Sequence, residues 1–251
     1  MRDRAFEELW ADDPVDTPVY FDPAKLAGLP EPARRYLAHA IAPGALVATA
    51  VRLRMQGEIK LKDTWYPFVA EQVIRWGRGF VWRARATMKG LPVTGSDRWI
   101  DGKGAMRWKM LGLIPVMTGD GPDISRAALG RVQVEALWLP TVLFAPDVAW
   151  SASDTAHLGV DLRLADHEAH LDLSIEPNGR LRTACIARWG NPDGAPHEFR
   201  EVPFGCIASE EKTFAGITIP TALRVGWYFG SDRFETEGEF FRATVDHAEF
   251  R

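Results

Sequence analysis

The sequence predicts a mainly β fold (α+β), in which a large curved antiparallel sheet or half-barrel is covered by a few helices. Apolar and polar residues alternate over long stretches, which is the period of a strand with one buried face. Helical patterns are confined to the start and the middle of the chain, and no strand–helix–strand rhythm appears. Chains of 251 residues with this pattern often form one antiparallel domain.

The first half of the chain contains the clearest strands. In Val51 to Lys62, apolar residues alternate with charged or polar ones almost without interruption. Phe80 to Met88 repeats the pattern, and Phe68 to Trp76 lies between them, separated from its neighbours by Trp65-Tyr66-Pro67 and Gly77-Arg78-Gly79. Asp101 to Gly104 is rich in glycine and predicts a hairpin turn between two further strands, Arg98 to Ile100 and Ala105 to Met110.

Two helices are predicted, together with an arm at the start. Residues 1–32 read as an extended N-terminal arm because prolines recur between Asp12 and Pro32, and 33–251 as a single β-rich domain. A helix is expected from Glu31 to Ala42, where Pro43-Gly44 would stop it. A longer one is expected from Ser125 to Leu139, with a second short helix past Pro140 to Phe144.

The second half returns to strands, and one hairpin predicts its own register. A three-residue loop, Pro177-Asn178-Gly179, would place Ile175 opposite Leu181 and give Gly179 a positive φ. The same alternation places four residues on the inner face of the following strand: Leu181, Cys185, Ala187 and Trp189. The other predicted strands are Val148 to Ser153, Leu158 to Leu164, Ala169 to Glu176, Glu198 to Ile207, Thr213 to Ile219, Thr221 to Phe229 and Phe234 to Phe250.

Composition excludes several classes of partner. Thirty basic and 34 acidic residues give a net charge of −4, and interspersed charges argue against nucleic acid and against an anionic membrane surface. No transmembrane segment and no signal core are visible, which predicts a cytoplasmic protein. Cys185 and Cys206 lack any paired spacing and are expected to be buried free thiols.

Three short motifs resemble functional ones without their required context. His167-Glu168-Ala169-His170 has the wrong spacing for a zinc helix and predicts a hairpin tip. Ser209-Glu210-Glu211-Lys212 has the serine–lysine spacing of acyl enzymes but no helical pattern, and predicts a turn. Gly102-Lys103-Gly104 lacks the following helix of a phosphate loop. No metal site and no cofactor are predicted.

The best catalytic candidates centre on the long helix. Arg131, Glu135 and Trp138 lie at helical spacing on a face next to the core stripe of the predicted helix. Asp154 and His157 follow this helix in the sequence. A carboxylate beside tryptophan in an apolar helix has the surroundings of a general acid or base. The alternative is an Arg131–Glu135 ion pair that fastens the helix to the sheet.

Aromatic residues are unusually frequent, with ten tryptophans and thirteen phenylalanines. Most of the strand tryptophans occupy apolar positions, so one face of the sheet should be broad and aromatic. Such a face can be a packed core or the wall of an apolar cavity, and the sequence leaves both open. A ligand there would meet Trp76, Trp82, Trp108, Trp138, Trp227, Arg131 and Glu135.

Several segments carry a family resemblance. The chain resembles a family of uncharacterised bacterial proteins in Leu29 to Leu37, Trp65-Tyr66-Pro67-Phe68, Asp97 to Gly104 and Glu135 to Pro140. The order of strands, central helices and further strands, which includes Gly216-Ile217-Thr218-Ile219-Pro220 and two long strands, is similar to the half-barrel of bacterial lipoprotein carriers. That resemblance implies acyl chains held between a curved sheet and covering helices. The chain shows neither the secretion signal nor the lipobox cysteine of those carriers.

Two functions follow as hypotheses. The first is a non-enzymatic carrier or sensor that binds a hydrophobic small molecule or lipid between the sheet and the long helix. The second is a hydrolase or isomerase that uses Glu135 with Asp154 or His157.

Overall fold

A computed structural model describes residues 3–11, 17–194 and 198–251 of the chain. These residues contain a single curved antiparallel sheet of 13 strands with few helices, as the sequence predicts. The strands, numbered β1 to β13 in chain order, are Ala50–Leu61, Thr64–Arg75, Gly79–Met88, Leu91–Ile100, Lys103–Met110, Ile114–Gly119, Ala149–Ala152, His157–Leu164, His167–Ile175, Leu181–Gly190, Arg200–Phe214, Ile217–Trp227 and Glu239–Phe250.

The strand order joins two meanders side by side. From edge to edge the sheet runs β6-β5-β4-β3-β2-β1-β13-β12-β11-β10-β9-β8-β7. Strands β1 to β6 therefore form one half and β7 to β13 the other, and the two halves meet where β1 pairs with β13, for example at Val51 and Phe250.

In the part of the chain that the structure describes, three α-helices accompany the sheet: α1 at Arg4–Ala11, α2 at Glu31–Ala40 and α3 at Pro122–Val134. Helix α3 contacts β3, β4 and β5 of the first half and β9 and β10 of the second, so it bridges the two halves. We call the face beneath it the inner face. No helix in the described part of the chain is both long and apolar enough to cross a membrane.

The long helical segment differs from its prediction at both ends. Helix α3 begins at Pro122 rather than Ser125, because proline suits the first turn of a helix. It ends at Val134 rather than Leu139, and two 3₁₀ turns continue it, Glu135–Trp138 and Pro140–Phe144. The second turn confirms the predicted short helix to Phe144.

The start of the chain is not the uniformly extended arm that was predicted. Helix α1 forms where Phe6, Leu9 and Trp10 recur at helical spacing, and it buries them on the outer face of β2 and β3 against Val73 and Val81. A 3₁₀ turn, Pro23–Leu26, interrupts the remainder. The predicted arm also includes residues 1–2 and 12–16, which lie outside the described residues.

The β9–β10 hairpin confirms the predicted loop but not the inner face beyond it. Ile175 lies opposite Leu181, and Gly179 has φ +92°. A β-bulge between Leu181 and Thr183 then shifts the register by one residue. The predicted inner residues Cys185, Ala187 and Trp189 are therefore wrong, and the inner row is Ala184, Ile186, Arg188 and Gly190.

Several other elements differ from the sequence expectations. The predicted strand Phe234 to Phe250 begins only at Glu239, after a π-helical turn, Phe234–Gly238. The predicted strand Thr213 to Ile219 is divided by the turn between β11 and β12. Strand β6 was missed because it shows no alternation: Ile114, Val116 and Met117 are all exposed. Trp65-Tyr66-Pro67 lies within β2 rather than before it, opposite Glu58 to Lys60 of β1. Ser209 to Lys212 is not a turn but part of the 15-residue strand β11. The register between β11 and β12 shifts twice within this segment.

Candidate functional site

An apolar cavity of about 300 Å³ lies between the inner face and the end of α3. Its size is at the lower end of the range for small-molecule sites, roughly 300–1,000 Å³. Both halves of the sheet contribute to its walls. The apolar lining residues are Ile59, Leu61, Trp82, Met106, Trp108, Met117, Val134, Leu137, Trp138, Phe204, Gly205, Cys206, Leu223, Val225, Trp227, Phe240 and Phe241.

Aromatic rings form the two side walls. On one side, the ring of Trp82 lies 5.6 Å from that of Trp108 in the first half and 6.0 Å from that of Phe241 in β13, centroid to centroid. In the second half, the rings of Phe204 and Trp227 meet edge to face at 4.9 Å. These contacts stabilise the walls independently of any ligand.

Two glycines make room for two of the wall tryptophans. A Cβ at Gly95, the cross-strand partner of Trp108, would lie 2.4 Å from the Trp108 ring. A Cβ at Gly190 would lie 2.1 Å from the ring of Trp227. The absence of side chains at these positions lets both indole rings approach the glycine backbone closely.

A buried polar cluster forms one end of the cavity. Arg131 Nε donates to Glu135 Oε1 at 2.8 Å, and Arg131 Nη1 donates to Asp97 Oδ2 at 3.2 Å. Trp108 Nε1 donates to Asp97 Oδ1 at 2.8 Å, and Gln72 Nε2 donates to Glu135 Oε2 at 2.5 Å. Each carboxylate oxygen therefore accepts a hydrogen bond from the protein, which offsets the cost of burying it.

Burial and charge act in opposite directions on this cluster. Burial raises the pKa of Asp97, and the opposing effect of Arg131 is smaller. Burial would lower the pKa of Arg131, but the negative charges of Glu135 and Asp97 outweigh it and raise that pKa. Arg131 therefore stays a cation between two acids.

Arg188 is a third cation of the cavity, beside Arg131 and Lys60, and it has different neighbours from Arg131. Its Nε donates to the Ala127 carbonyl of α3 at 3.0 Å. Its guanidinium carbon lies 4.4 Å from the Phe204 ring centroid and 5.0 Å from that of Trp227. Burial, and then the charge of Arg131, lower its pKa to about 9. Gly130 leaves space for its stem beneath α3.

Six of the seven predicted ligand-binding residues line this cavity together: Trp82, Trp108, Trp138, Trp227, Arg131 and Glu135. Trp138 also donates from Nε1 to the Pro220 carbonyl at 3.1 Å, which fixes the turn after α3. Trp76, the seventh, follows β2 and packs against the core without lining the cavity.

The predicted catalytic partners of Glu135 are not brought to it. Asp154 and His157 pair with each other at 2.8 Å between β7 and β8, and both are exposed. His157 borders a separate groove with Ser151 and His170. Glu135 instead contacts Arg131 and Gln72, as the ion-pair alternative predicts.

The other motifs form no site in the described part of the chain. Asp101-Gly102 forms the tight turn between β4 and β5, as predicted. His167 to His170 is not the predicted hairpin tip but the start of β9, and His170 pairs with Asp161 of β8 at 2.7 Å. Among the described residues, no group of three or more histidine, cysteine, aspartate or glutamate side chains is placed to hold a metal ion.

Sequence reasoning missed three polar residues at this end of the cavity, and two of them carry a signal. Asp97 interrupts the inner row Val93, Gly95 and Trp99 of β4, and Gln72 interrupts an equivalent row of β2. A polar residue at an apolar position in an alternating pattern marks such a site. Arg188 gives no comparable signal, because only the bulge turns it inward.

The sequence matches the model of a family of unknown function, DUF6544, over residues 20–237. The chain belongs to this family. The predicted membership of a family without an assigned activity is thus confirmed. A search of the curated proteins finds no match for this DUF6544 member.

Two solved structures are similar to this DUF6544 protein at low sequence identity. One is the LolA superfamily protein NE2245 from Nitrosomonas europaea, with 10% identity and a TM-score of 0.43 over 88% of this chain and 92% of that chain. The other is a DUF1329 family protein from Desulfovibrio piger, with 10% identity and a TM-score of 0.42 over 81% of this chain and 86% of that chain.

Proposed function

We propose that the protein binds a hydrophobic, lipid-like small molecule in the cavity between the inner face and α3, as a carrier or sensor rather than as an enzyme. The observation that carries the proposal is the cavity itself, about 300 Å³ walled mainly by aromatic and aliphatic side chains. Water gains few hydrogen bonds on such walls, whereas an apolar ligand removes their surface from water.

The polar groups of the cavity favour binding over catalysis. Both oxygens of Glu135 and both of Asp97 accept hydrogen bonds from protein donors. Asp154 and His157, which a Glu135 hydrolase would need, belong to another part of the surface. A general base needs a carboxylate oxygen that is directed at its substrate. The oxygens of these two carboxylates instead accept hydrogen bonds from the protein itself.

Exposure indicates where the cavity opens. Among its lining residues in the described structure, Met117 of β6 is exposed, whereas Lys60, Leu61 and Trp227 are half-buried. An apolar ligand would therefore enter beside Met117.

A ligand-binding assay with a cavity-filling variant tests the proposal. Protein purified from bacteria is analysed by native mass spectrometry and solvent extraction, then stripped of lipid and titrated with Nile red. Val225→Trp, which fills the cavity, should lower Nile red affinity at least about tenfold. Val69→Trp is the matched control, because Val69 lies on the outer face of β2 with 57% of its surface exposed.

Three results together support the proposal. Lipid co-purifies with the protein, the dye binds saturably, and dye binding is lost in Val225→Trp but not in Val69→Trp. Clean extracts without dye binding would overturn it. Equal Nile red affinity in Val225→Trp and wild type would also overturn it, because the dye would then bind elsewhere.

A further inference from the structure

Arg188 is a cation in an apolar cavity. The protein accepts a hydrogen bond from only part of its guanidinium group. Its Nε bonds the Ala127 carbonyl, and its plane lies near the Phe204 and Trp227 rings. Within residues 3–11, 17–194 and 198–251, its two terminal nitrogens form no hydrogen bond to a protein acceptor. Both nearby carboxylates bond Arg131 instead.

A second donor in the same cavity also lacks a protein acceptor. Trp82 is 98% buried, since its relative exposure is 2%, and it lines the cavity. Its Nε1 has no hydrogen-bond partner. An unpaired buried N–H costs roughly 1–3 kcal/mol, so such groups usually have a role in binding or in the fold.

From these two unpaired donors we infer that the ligand is an amphipathic acid whose carboxylate binds Arg188 while its hydrocarbon part fills the aromatic cavity. The inference rests on the proposed function and specifies its ligand. Arginine suits this role because its planar fork presents two parallel N–H groups to a carboxylate. An apolar cavity strengthens this pairing, because water competes poorly there.

The charges around Arg188 support an anionic ligand over a cationic or neutral one. Burial lowers the pKa of Arg188, the charge of Arg131 lowers it further, and together they outweigh the opposite effect of Glu135 and Asp97, so a bound anion would stabilise the charged form of Arg188. A carboxylate suits a cavity of this volume better than a phospholipid headgroup with two acyl chains.

A series of ligands with one chain length and different head groups tests the inference. Displacement of Nile red by dodecanoate, methyl dodecanoate, dodecyl phosphate and dodecylamine is measured on delipidated full-length protein. Dodecanoate should bind about 10- to 100-fold more tightly than the methyl ester, as expected for a charge-assisted hydrogen bond. Dodecylamine should bind most weakly.

Arg188→Gln should abolish the preference for dodecanoate over the methyl ester, so that the two compounds bind this variant with similar affinity. Arg126→Gln is the matched control, because Arg126 lies on the exposed side of α3, where it contacts Trp189 and Glu201. If Arg188→Gln fails to fold, the head-group preference of the wild-type protein decides alone.

The outcomes separate this inference from the proposed function. Equal binding of acid, ester and amine would overturn the carboxylate site and leave the hydrophobic cavity standing. A preference for dodecyl phosphate over dodecanoate would overturn the carboxylate in favour of a phosphate. If none of the four compounds displaces the dye, the proposed function fails together with this inference.

Discussion

Arg131 and Glu135 form an ion pair at 2.8 Å across the last turn of α3, where side-chain exposures are only 17% and 10%. Glu135→Gln leaves the buried Arg131 with Asp97 as its one carboxylate partner in the described structure. We expect this variant to lose about 1–3 kcal/mol of unfolding free energy, measured by urea denaturation.

An exposed ion pair provides the control for Glu135. Glu168→Gln removes a pair with Arg163 in which both side chains are mostly exposed, and should change stability by less than about 0.5 kcal/mol. If Glu135→Gln folded with wild-type stability but lost turnover on a panel of esters and lipids, Glu135 would be catalytic and the binding proposal would be wrong.

Glu239 should make stability depend on pH. Hydrogen bonds from Arg224, and then from Arg242, lower the pKa of Glu239 from 4.5 to about 2. A lowered pKa in the folded state means that the stabilisation is complete above about pH 4.5 and disappears as the pH falls toward 2. Because both arginines are partly exposed, we expect on the order of 1–2 kcal/mol.

Urea denaturation of wild type and Glu239→Gln at pH 7 and pH 3 measures this contribution. The stability difference between the two proteins should be smaller at pH 3. Glu237→Gln, at an exposed position two residues earlier, controls for the loss of one negative charge. A difference that stays constant between the two pH values would show that Glu239 carries no such linkage.

The glycines beneath the tryptophans should resist substitution. Gly190→Ala places a Cβ 2.1 Å from the Trp227 ring, so the indole must move or the strands must separate. We expect a loss of about 1–3 kcal/mol in unfolding free energy and weaker Nile red binding.

Gly28→Ala is the matched control, because a Cβ at Gly28 meets nothing within 4 Å. This substitution should leave stability within about 0.5 kcal/mol of the wild type and dye affinity unchanged. If Gly190→Ala behaved like Gly28→Ala, the fit between Gly190 and Trp227 would be irrelevant to the cavity.

The two cysteines should stay reduced and react slowly. Both thiols are free, but only Cys206 is buried as predicted, whereas Cys185 is half-buried. They lie on opposite faces of β10 and β11, since Cys206 lies opposite Ala184. Burial raises the pKa of Cys185 to about 11 and that of Cys206 to about 12, which leaves little thiolate at pH 8.

Thiol titration with Ellman's reagent at pH 8 should therefore proceed at least about tenfold more slowly in native protein than in urea. Cys185→Ser and Cys206→Ser identify which thiol reacts. A mass deficit of one disulfide in the intact protein would contradict this arrangement.

Local patterns predicted the parts of the site that depend on neighbours in sequence. Arg131 and Glu135 are four residues apart on one helix, so their contact follows from helix geometry alone. Alternation within their strands also predicted that Trp82 and Trp108 lie on the inner face. Whether that face is a packed core or the wall of a cavity depends on the distance between sheet and helix, which local patterns do not give.

Long-range packing determined what the sequence did not predict. The bulge after Leu181 moved Arg188 to the inner face, and nothing in the local pattern marks that bulge. Trp76 was expected among the ligand contacts but lies past the end of β2, where the chain turns away. Asp154 and His157 follow α3 closely in sequence, yet the intervening 3₁₀ turns carry them to another surface.

The junction between β1 and β13 has a consequence for the order of folding. Every other strand pair in the described sheet joins neighbours in sequence, so the two meanders can form from local contacts. The β1–β13 pairing closes a loop that contains most of the chain, for example between Val51 and Phe250, and its entropy cost defers it to a late step. During synthesis on the ribosome, the aromatic rings of the first meander would therefore lack their packing partners in β13, such as Phe241, until that last strand emerges. Slow translation would lengthen that interval. A chaperone that holds the unfinished chain would protect its exposed rings during it.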